Sequence, residues 1–249
     1  MFEYTPEFQL PPAPVPNSRK GSALFHSVRR AILMRELTPG TALVEQQIAR
    51  RFGCSQGTVR EALMRLKAEG LVDRRGYKGT VVSNTGISEA TQMAEIRLKL
   101  ESFGIRYAAL AFGAIELDRV RSLVERLEAA QGAGDHYAFG EFDRLLHLTI
   151  FRAAKLPTLE PILTRCALHM HRYTFADAPH KASASPLTKH QAIVDALAAR
   201  DPERAAAAVR THIAAVIELW APPLHQAMDP GAGIASAEEL RVPAEARRP

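Results

Sequence analysis

The chain has 249 residues, of which 47% are hydrophobic, and a formal net charge of +5. This length and composition allow one or two buried cores, and two domains are favoured. Its two cysteines exclude a disulfide framework and a cysteine metal pair. The sequence contains no signal peptide and no apolar run of about 18 residues, so we expect a cytoplasmic protein without a membrane span.

The positive charge is concentrated towards the N-terminus. Residues 22–83 contain 11 Lys and Arg against 5 Asp and Glu, whereas residues 84–249 contain 19 against 20. A basic domain joined to a near-neutral one is typical of a protein that holds nucleic acid phosphates with one part and performs another task with the second.

The chain begins with a proline-rich arm. Residues 1–21 contain five of the sixteen prolines and show no hydrophobic period, so this segment is expected to be loose. Beyond it, Leu24, Val28 and Ile32 recur at helical spacing. This spacing predicts a first helix over residues 23–36.

Two short helical patterns follow and are joined by a tight corner. Ile48 and Phe52 lie four residues apart and share one face of the first helix. Gly53 ends that helix where a left-handed conformation is favourable, and Ser55 supplies an N-cap oxygen to the next helix. The second helix has an apolar stripe at spacings of four and three, formed by Val59, Leu63 and Leu66. Together these features predict a helix-turn-helix.

The outward face of the second helix has the chemistry needed to read DNA. Its N-terminus attracts phosphate, Arg60 can pair with guanine or hold a phosphate, and Gln56 can pair with adenine. The residues expected to contact DNA in this region are Gln46, Ser55, Gln56, Gly57, Thr58 and Arg60. An ordinary helical hairpin with a solvated basic face is the alternative interpretation.

The segment after this helix favours DNA binding. Two β-branched runs, residues 71–75 and 80–83, flank a glycine-bounded turn, which predicts a β-hairpin. Such a hairpin forms a wing beside the recognition helix. Its expected DNA contacts are Arg74, Arg75, Lys78 and Gly79.

Residues 22–83 resemble the winged-helix DNA-binding domain of the GntR family of bacterial transcriptional regulators. The matching positions include Pro39-Gly40, Ile48-Ala49, Phe52-Gly53, Val59-Arg60-Glu61-Ala62-Leu63 and Glu69-Gly70-Leu71. The family commonly has arginine where this chain has Gln46 and Gln56, and often proline where it has Thr58. The resemblance therefore implies DNA binding without specifying the operator sequence.

From Ser88 onward the pattern is helical throughout. A stripe of large apolar residues predicts a buried face on a helix of roughly 24 residues, namely Met93, Ile96, Leu100, Phe103, Tyr107 and Leu110. Five further helices are expected near residues 117–130, 136–154, 158–175, 187–200 and 202–220. Asp201 and Pro202 provide the cap and first turn of the last one, and Pro222-Pro223 is expected to end it.

The predicted fold class is mainly α. An N-terminal winged helix-turn-helix, consisting of three helices plus a β-hairpin, is followed by an all-α antiparallel bundle of six or seven helices. The expected segments are an arm at 1–21, the winged helix at 22–83, a linker at 84–87, the bundle at 88–224 and a loose tail at 225–249.

Four ionisable side chains occupy apolar helix faces, where a free charge is unfavourable. They are Asp143, His147, His190 and His212. A single buried histidine is usually a hydrogen-bonded core residue, but three with a carboxylate are hard to satisfy without a cation. Imidazole nitrogen and carboxylate oxygen suit Zn²⁺ first, and also Ni²⁺, Mn²⁺ or Fe²⁺. The pattern leaves both interpretations open.

Residues 88–220 resemble the effector-binding FCD domain of the FadR-type branch of the GntR family. The likeness includes the Asp143-to-His147 spacing, residues 189–197 and the segment around His212. In metal-containing members, an Asp and three His at these motif positions bind the cation. The resemblance therefore implies that Asp143, His147, His190 and His212 are metal ligands.

A bound cation with open positions can also accept the carboxylate of a small organic acid. Arg97, His169 and Arg172 are the residues expected to line this effector site. The alternatives are an ion pair between Arg97 and Glu101 and a solvated Arg172. His171 is expected to face water.

The favoured function is a transcriptional regulator, with repression preferred over activation. It would bind a pseudo-palindromic double-stranded operator as a homodimer, because one recognition helix reads only a half-site. An organic acid at the metal centre would shift the bundle and change operator affinity. The alternatives are a metallohydrolase, which lacks a recognisable HExxH motif here, and a regulator in which the metal itself is the signal or is only structural.

Overall fold

The computed structural model describes residues 17–76, 79–174 and 190–228. Its helices are α1 (Asn17–Leu33), α2 (Glu45–Phe52), α3 (Gln56–Ala68), α4 (Ile87–Ala111), α5 (Ala114–Gly132), α6 (His136–Ala153), α7 (Glu160–Thr174), α8 (His190–Ala198), α9 (Pro202–Trp220) and α10 (Pro222–Met228). Its strands are β1 (Ala42–Leu43), β2 (Val72–Arg74) and β3 (Thr80–Val82). The mainly α fold class is confirmed. Among the helices in these ranges, none combines the length and the apolarity needed to cross a membrane.

Helices α1 to α3 and the small sheet form the winged-helix domain. The predicted apolar faces make its core, since Leu24, Val28 and Ile32 of α1 and Val59 and Leu66 of α3 are all at most 1% exposed. Burial of one such side chain contributes about 1.5–3 kcal/mol. The spacing of these few residues therefore determines how the three helices pack.

The corner between α2 and α3 has the predicted geometry. Gly53 lies in the left-handed region at φ 56°, and its N–H donates to the carbonyls that end α2. The Ser55 hydroxyl accepts a hydrogen bond from the Thr58 N–H at 3.1 Å, which caps α3. The exposed face of α3 is thereby held at a fixed angle to α2.

The wing is part of a three-stranded antiparallel sheet in the order β1-β3-β2. The β2–β3 hairpin is the predicted one, with Val72 opposite Val82. Strand β1 was not predicted, because a two-residue strand is too short to show an alternating pattern. It pairs with β3 by placing Ala42 opposite Val81.

Helix α1 begins earlier and ends earlier than the pattern predicted. It starts at Asn17, inside the segment expected to be a loose arm. Lys20 donates to the Gly53 carbonyl at 2.8 Å, so the added turn contacts the α2–α3 corner. At the other end Arg35 adopts a positive φ of 58°, which interrupts the helix before Glu36.

Helices α4 to α10 form the bundle, giving seven helices in the described part of the chain. Helix α4 is central and packs against α6, α7 and α9. Close approach to α6 requires glycine at position 104, because a Cβ there would lie 2.5 Å from a ring carbon of Phe151. Helix α9 ends at Trp220, directly before Pro222-Pro223 as expected, and these prolines begin the further short helix α10, since proline fits the first turn of a helix.

Four of the six residues in the apolar stripe predicted as the core of α4 are instead exposed, while Met93 and Leu100 are half-buried. Phe103 is 46% exposed, Tyr107 52% and Leu110 66%, and Ile96 is also exposed. The buried face of α4 consists of small residues and a buried ion pair, namely Ala90, Ala94, Arg97, Glu101, Ile105 and Ala108. Hydrophobic spacing identifies an apolar helix face. It does not indicate whether that face is covered by other helices of the same chain or by another molecule.

The two domains share a packed boundary. Leu168 of α7 is fully buried within the hydrophobic core of the winged-helix domain. Arg29 of α1 donates to Glu69 at 2.8 Å and to Glu141 of α6 at 2.7 Å. The bundle therefore contacts the DNA-binding domain through α6 and α7.

Candidate metal centre and DNA-binding surface

The structure brings the four residues of the predicted metal site together. Asp143 and His147 come from α6, His190 from the first position of α8 and His212 from α9. One ligand atom from each lies within 4.8 Å of the others, and all four side chains are buried. Because Asp143 and His147 are four residues apart, they lie on one face of α6. The packing of α8 and α9 in the bundle brings His190 and His212 next to that face.

The ligand atoms converge on one oxygen of Asp143. Its Oδ1 lies 3.0 Å from Nε2 of His190, 3.7 Å from Nε2 of His147 and 3.9 Å from Nε2 of His212. The Nε2 atoms of His147 and His212 are only 3.2 Å apart. Three imidazole nitrogens and one carboxylate oxygen thus face a common point.

The other oxygen of Asp143 is held by residues outside this set. His171 of α7 contacts Oδ2 at 3.1 Å through Nε2, and Arg97 lies 3.9 Å from the same oxygen. Burial alone would raise the pKa of Asp143, but His147, His171 and His190 hold that pKa well below its usual value. The carboxylate is therefore ionised and fixed in orientation.

His171 was expected to face water, and this expectation was wrong. The residue is 6% exposed and contacts Asp143. Seven consecutive residues of α7, from Cys166 to Arg172, are buried, because the helix lies between the bundle and the winged helix. A helix covered on all sides has no polar face by which sequence spacing could separate His171 from its neighbours.

Glu101 is a further residue of the site, and it supports His147. Its carboxylate accepts a hydrogen bond from Nδ1 of His147 and another from Nε of Arg97, the latter at 2.6 Å. Burial would raise the pKa of Glu101, but Arg97 and His147 lower it to about 2. A proton held on Nδ1 of His147 leaves its Nε2 lone pair directed at the cluster, which is the arrangement of a carboxylate-oriented metal ligand.

This donor set fits a divalent cation. Two buried carboxylates, Asp143 and Glu101, face one buried guanidinium, so a negative charge is left when the imidazoles are neutral. Burial, together with His190 and His147, lowers the pKa of His212 well below its usual value, which favours the neutral form that binds metals. A divalent cation at the convergence point would compensate the charge and use the facing lone pairs.

The space beside the cluster is small. A cavity of about 10 Å³ adjoins Glu101 and His147 and is lined otherwise by Ile105, Ile150, Phe151 and Val209. This volume accommodates roughly one water molecule. The packed bundle therefore presents a compact ion site at this position.

Two residues expected at the effector site lie elsewhere. Arg172 donates to the hydroxyl and the carbonyl of Ser83, at 2.9 and 2.8 Å, and His169 contacts the Thr85 hydroxyl at 2.7 Å. Both side chains are therefore directed at the end of the wing and the interdomain linker rather than at the cluster. Arg97 does adjoin the cluster, but in the ion pair with Glu101 that was its alternative interpretation.

The predicted DNA-contacting residues form an exposed surface on the winged helix. Arg60, Lys67 and Arg74 line one groove between α3 and the wing, and Met64 on the same groove is 70% exposed. Arg60 forms an exposed ion pair with Glu45 at 2.7 Å. The other exposed positions are Gln46, Ser55, Gln56, Gly57, Arg75 and Gly79, while Thr58 is half-buried. Lys78 lies outside the described residues.

The fold and these two regions define the class of protein, a DNA-binding transcription factor with an accessory helical domain. Residues 20–82 match the family of bacterial regulatory proteins called the gntR family, and residues 92–215 match the FCD domain. The chain therefore belongs to the GntR family of bacterial transcriptional regulators and carries an FCD domain.

Curated relatives resemble the chain over most of its length. A protein from Paenarthrobacter nicotinovorans named "Probable D-xylose utilization operon transcriptional repressor" is 31% identical over 194 residues, which cover 75% of this chain and 82% of the relative. The HTH-type transcriptional repressor NanR of Cronobacter sakazakii is 28% identical over 235 residues, covering 83% and 87%. These relatives and families are transcriptional regulators and not enzymes, which argues against the metallohydrolase.

Solved structures share the fold. Escherichia coli McbR/YncC has a TM-score of 0.66 at 21% identity, covering 83% of this chain and 97% of that one. A GntR regulator from Rhodococcus sp. RHA1 has a TM-score of 0.65 at 24% identity, covering 81% and 97%.

A testable consequence of the burial of His169 beside the interdomain linker is destabilisation of the fold by acid. Burial, with Arg172 and Arg165, lowers the pKa of His169 to about 4. The unfolded chain therefore takes up a proton near pH 6.5 that the folded chain does not, and stability present above pH 6.5 is lost as the pH falls towards 4. We expect about 2 kcal/mol of this loss between pH 7.5 and 5.

Urea unfolding at both pH values, for wild type and His169→Gln, measures this contribution. The variant should show a pH-dependent loss smaller by about 2 kcal/mol, whereas His225→Gln, at an exposed position on α10, should match wild type. Equal pH dependence in wild type and His169→Gln would contradict the assignment.

Proposed function

We propose that this chain is a repressor that binds a pseudo-palindromic operator as a homodimer, with its operator affinity controlled by a divalent cation and a small organic acid at the FCD cluster. The observation that carries the proposal is the convergence of Asp143, His147, His190 and His212 within 4.8 Å. A buried ion site in the domain that packs against the DNA reader gives a ligand a direct means of altering DNA binding.

The proposed cation is Zn²⁺ first, with Ni²⁺, Mn²⁺ and Fe²⁺ as the other candidates. Three imidazoles and one carboxylate are ordinary ligands for each of these ions. The set of four contains no cysteine thiolate, which would have favoured a softer metal. Glu101 would orient His147 towards the ion, and His171 would orient Asp143. Four protein ligands would complete the usual tetrahedral shell of Zn²⁺, which would take an acid only as a fifth ligand, whereas Ni²⁺, Mn²⁺ and Fe²⁺ prefer six ligands and would keep two positions open.

The proposed effector is a small carboxylic acid. Its carboxylate would occupy an open position on the cation, with the Arg97 guanidinium nearby as a second partner. Because the cavity beside the cluster holds only about one water, binding of an acid requires the surrounding helices to part. The same small cavity favours a second candidate, in which the metal itself is the signal.

Metal binding can be tested on chelator-treated protein to which zinc is added back. Zn²⁺ should bind at about one ion per chain and stabilise the fold by about 2.7 kcal/mol at one hundred times its Kd. His212→Ala should abolish both effects, and the matched variant His225→Ala should retain them. Elemental analysis and thermal unfolding are the measurements.

A panel of mono-, di- and tricarboxylates then separates the two candidates. A further rise in Tm with one acid, only in the zinc-loaded protein, supports the acid effector. No response to any acid, together with zinc-dependent DNA binding, supports the metal as the signal. Absence of binding by all four ions, Zn²⁺, Ni²⁺, Mn²⁺ and Fe²⁺, would contradict both.

DNA reading by the exposed face of α3 is tested with Arg60. A duplex ligand is first selected from a randomised pool with wild-type protein. Arg60→Ala should weaken binding to that duplex by about 1–3 kcal/mol or more, because the side chain offers base or phosphate contacts. Arg121→Ala, an exposed arginine paired with Asp118 on α5, is the matched control and should bind normally. Unchanged binding by Arg60→Ala would contradict the assignment of α3 as the reading helix.

The exposed stripe on α4 is the proposed dimer surface. Ile96, Phe103, Tyr107 and Leu110 are exposed along one helix, and adjacent exposed apolar side chains are typical of an interface. A second copy is the occupant that a palindromic operator requires, since each winged helix reads one half-site.

Substitution within the stripe should separate the copies. Wild type is expected to sediment at twice the mass of one chain, and the double variant Tyr107→Glu, Leu110→Glu at the mass of a single chain, because carboxylates cannot be buried unpaired at the interface. Ile162→Glu, a substitution at a position that is 46% exposed on α7, should remain dimeric. A monomeric wild type, or a dimeric double variant in sedimentation equilibrium, would contradict this surface.

A further inference from the structure

Two helices that build the metal cluster also hold the end of the recognition helix. Helix α6 supplies Asp143 and His147, and α7 supplies His171, which contacts Asp143. The same two helices reach Glu69 and Gly70, the residues that directly follow α3. The candidate ion site and the end of α3 are thus connected by two separate sets of contacts, one through α6 and one through α7.

On the α6 side the link is Arg29. Its Nε donates to Glu69 at 2.8 Å and its Nη1 to Glu141 at 2.7 Å, and the side chain is only 2% exposed. Glu141 precedes Asp143 by two residues on α6. A guanidinium buried between two carboxylates holds both in place, because separation of either leaves a charge without its partner. Movement of this part of α6 therefore acts on the end of α3.

On the α7 side the link is Arg172, the neighbour of His171. Arg172 donates to the Ser83 hydroxyl at 2.9 Å and to the Ser83 carbonyl at 2.8 Å. The Ser83 hydroxyl in turn donates to the Gly70 carbonyl at 2.7 Å. A Cβ at Gly70 would lie 2.5 Å from Nε of Arg165, so α7 lies directly against the backbone that ends α3.

We infer that Arg29, Glu69, Ser83, Glu141 and Arg172 form a clamp through which the state of the metal cluster sets the orientation of α3. The inference rests on the metal control proposed above. Asp143 contacts the cluster through Oδ1 and His171 through Oδ2, so a cation that draws Asp143 also acts on α7. Packed helices respond to such a change by shifting as units, and the two arms of the clamp end at adjacent residues, Glu69 and Gly70.

The test is the ratio of Kd values for the selected duplex, measured with chelator-treated and with zinc-loaded protein. Wild type should give a ratio of about 5 to 150, the usual range of coupling between two sites. Glu141→Gln and Arg172→Gln should each bind zinc at the wild-type stoichiometry and yet give a ratio closer to one, and the double variant a ratio within about twofold of one. Arg152→Gln, which alters an exposed ion pair of α6 with Glu160, is the matched control and should keep the wild-type ratio.

Amide hydrogen exchange at residues 69–71 gives a local measurement of the same coupling. Zinc should change the exchange rates there in wild type and in Arg152→Gln, and leave them unchanged in the double variant. Glu141→Gln retains the shape of the side chain and a hydrogen-bond acceptor, so the test does not depend on Arg172→Gln being folded.

The possible outcomes separate the clamp from the proposed function. A wild-type Kd ratio of one, with zinc bound, would overturn metal control and the clamp with it. A wild-type ratio well above one that persists in Glu141→Gln and in every folded clamp variant would overturn the clamp alone. Loss of the ratio in the clamp variants, with zinc still bound and Arg152→Gln unaffected, supports it.

Discussion

The burial of two carboxylates in a helical core is the constraint on which this structure depends. Asp143 and Glu101 remain ionised although they are removed from water, because Arg97 supplies a positive charge and the histidines supply hydrogen-bond donors. Each of these partners must come from a different helix, so the charges fix the relative positions of α4, α6, α7, α8 and α9. Small residues on the inner face of α4 allow the helices to approach closely enough to do so.

Helix α7 is buried on all sides over residues 166–172, because this part of it packs against both domains. Leu168 completes the winged-helix core, while Met170 packs in the bundle core and accepts a contact from Arg97. Helix α7 has no solvent face over this stretch, so its polar residues are each committed to a partner. His169 and Arg172 contact the linker and wing, and His171 contacts Asp143. The accessory domain is therefore in physical continuity with the DNA-reading domain.

The two domains have exposed surfaces of different chemistry. Basic residues line the groove between α3 and the wing, where DNA phosphates would provide the compensating charge. Large apolar residues line the outer face of α4, where only another apolar surface can remove them from water. One chain thus combines a polar surface suited to nucleic acid with the apolar surface proposed for a second copy, and the proposed two-fold symmetry of the operator would link the two.

Local patterns were sufficient to predict the winged helix, the caps at Gly53, Ser55 and Asp201, most helix positions and the four residues of the ion cluster. These features depend on backbone preferences and on spacing along one helix, which act over a few residues. The same patterns placed the α4 stripe in the core, left out β1, and put His169, His171 and Arg172 in the wrong surroundings. Those positions depend on which element packs against which, because burial and charge compensation arise between segments far apart in the chain and leave no periodic signal within either of them.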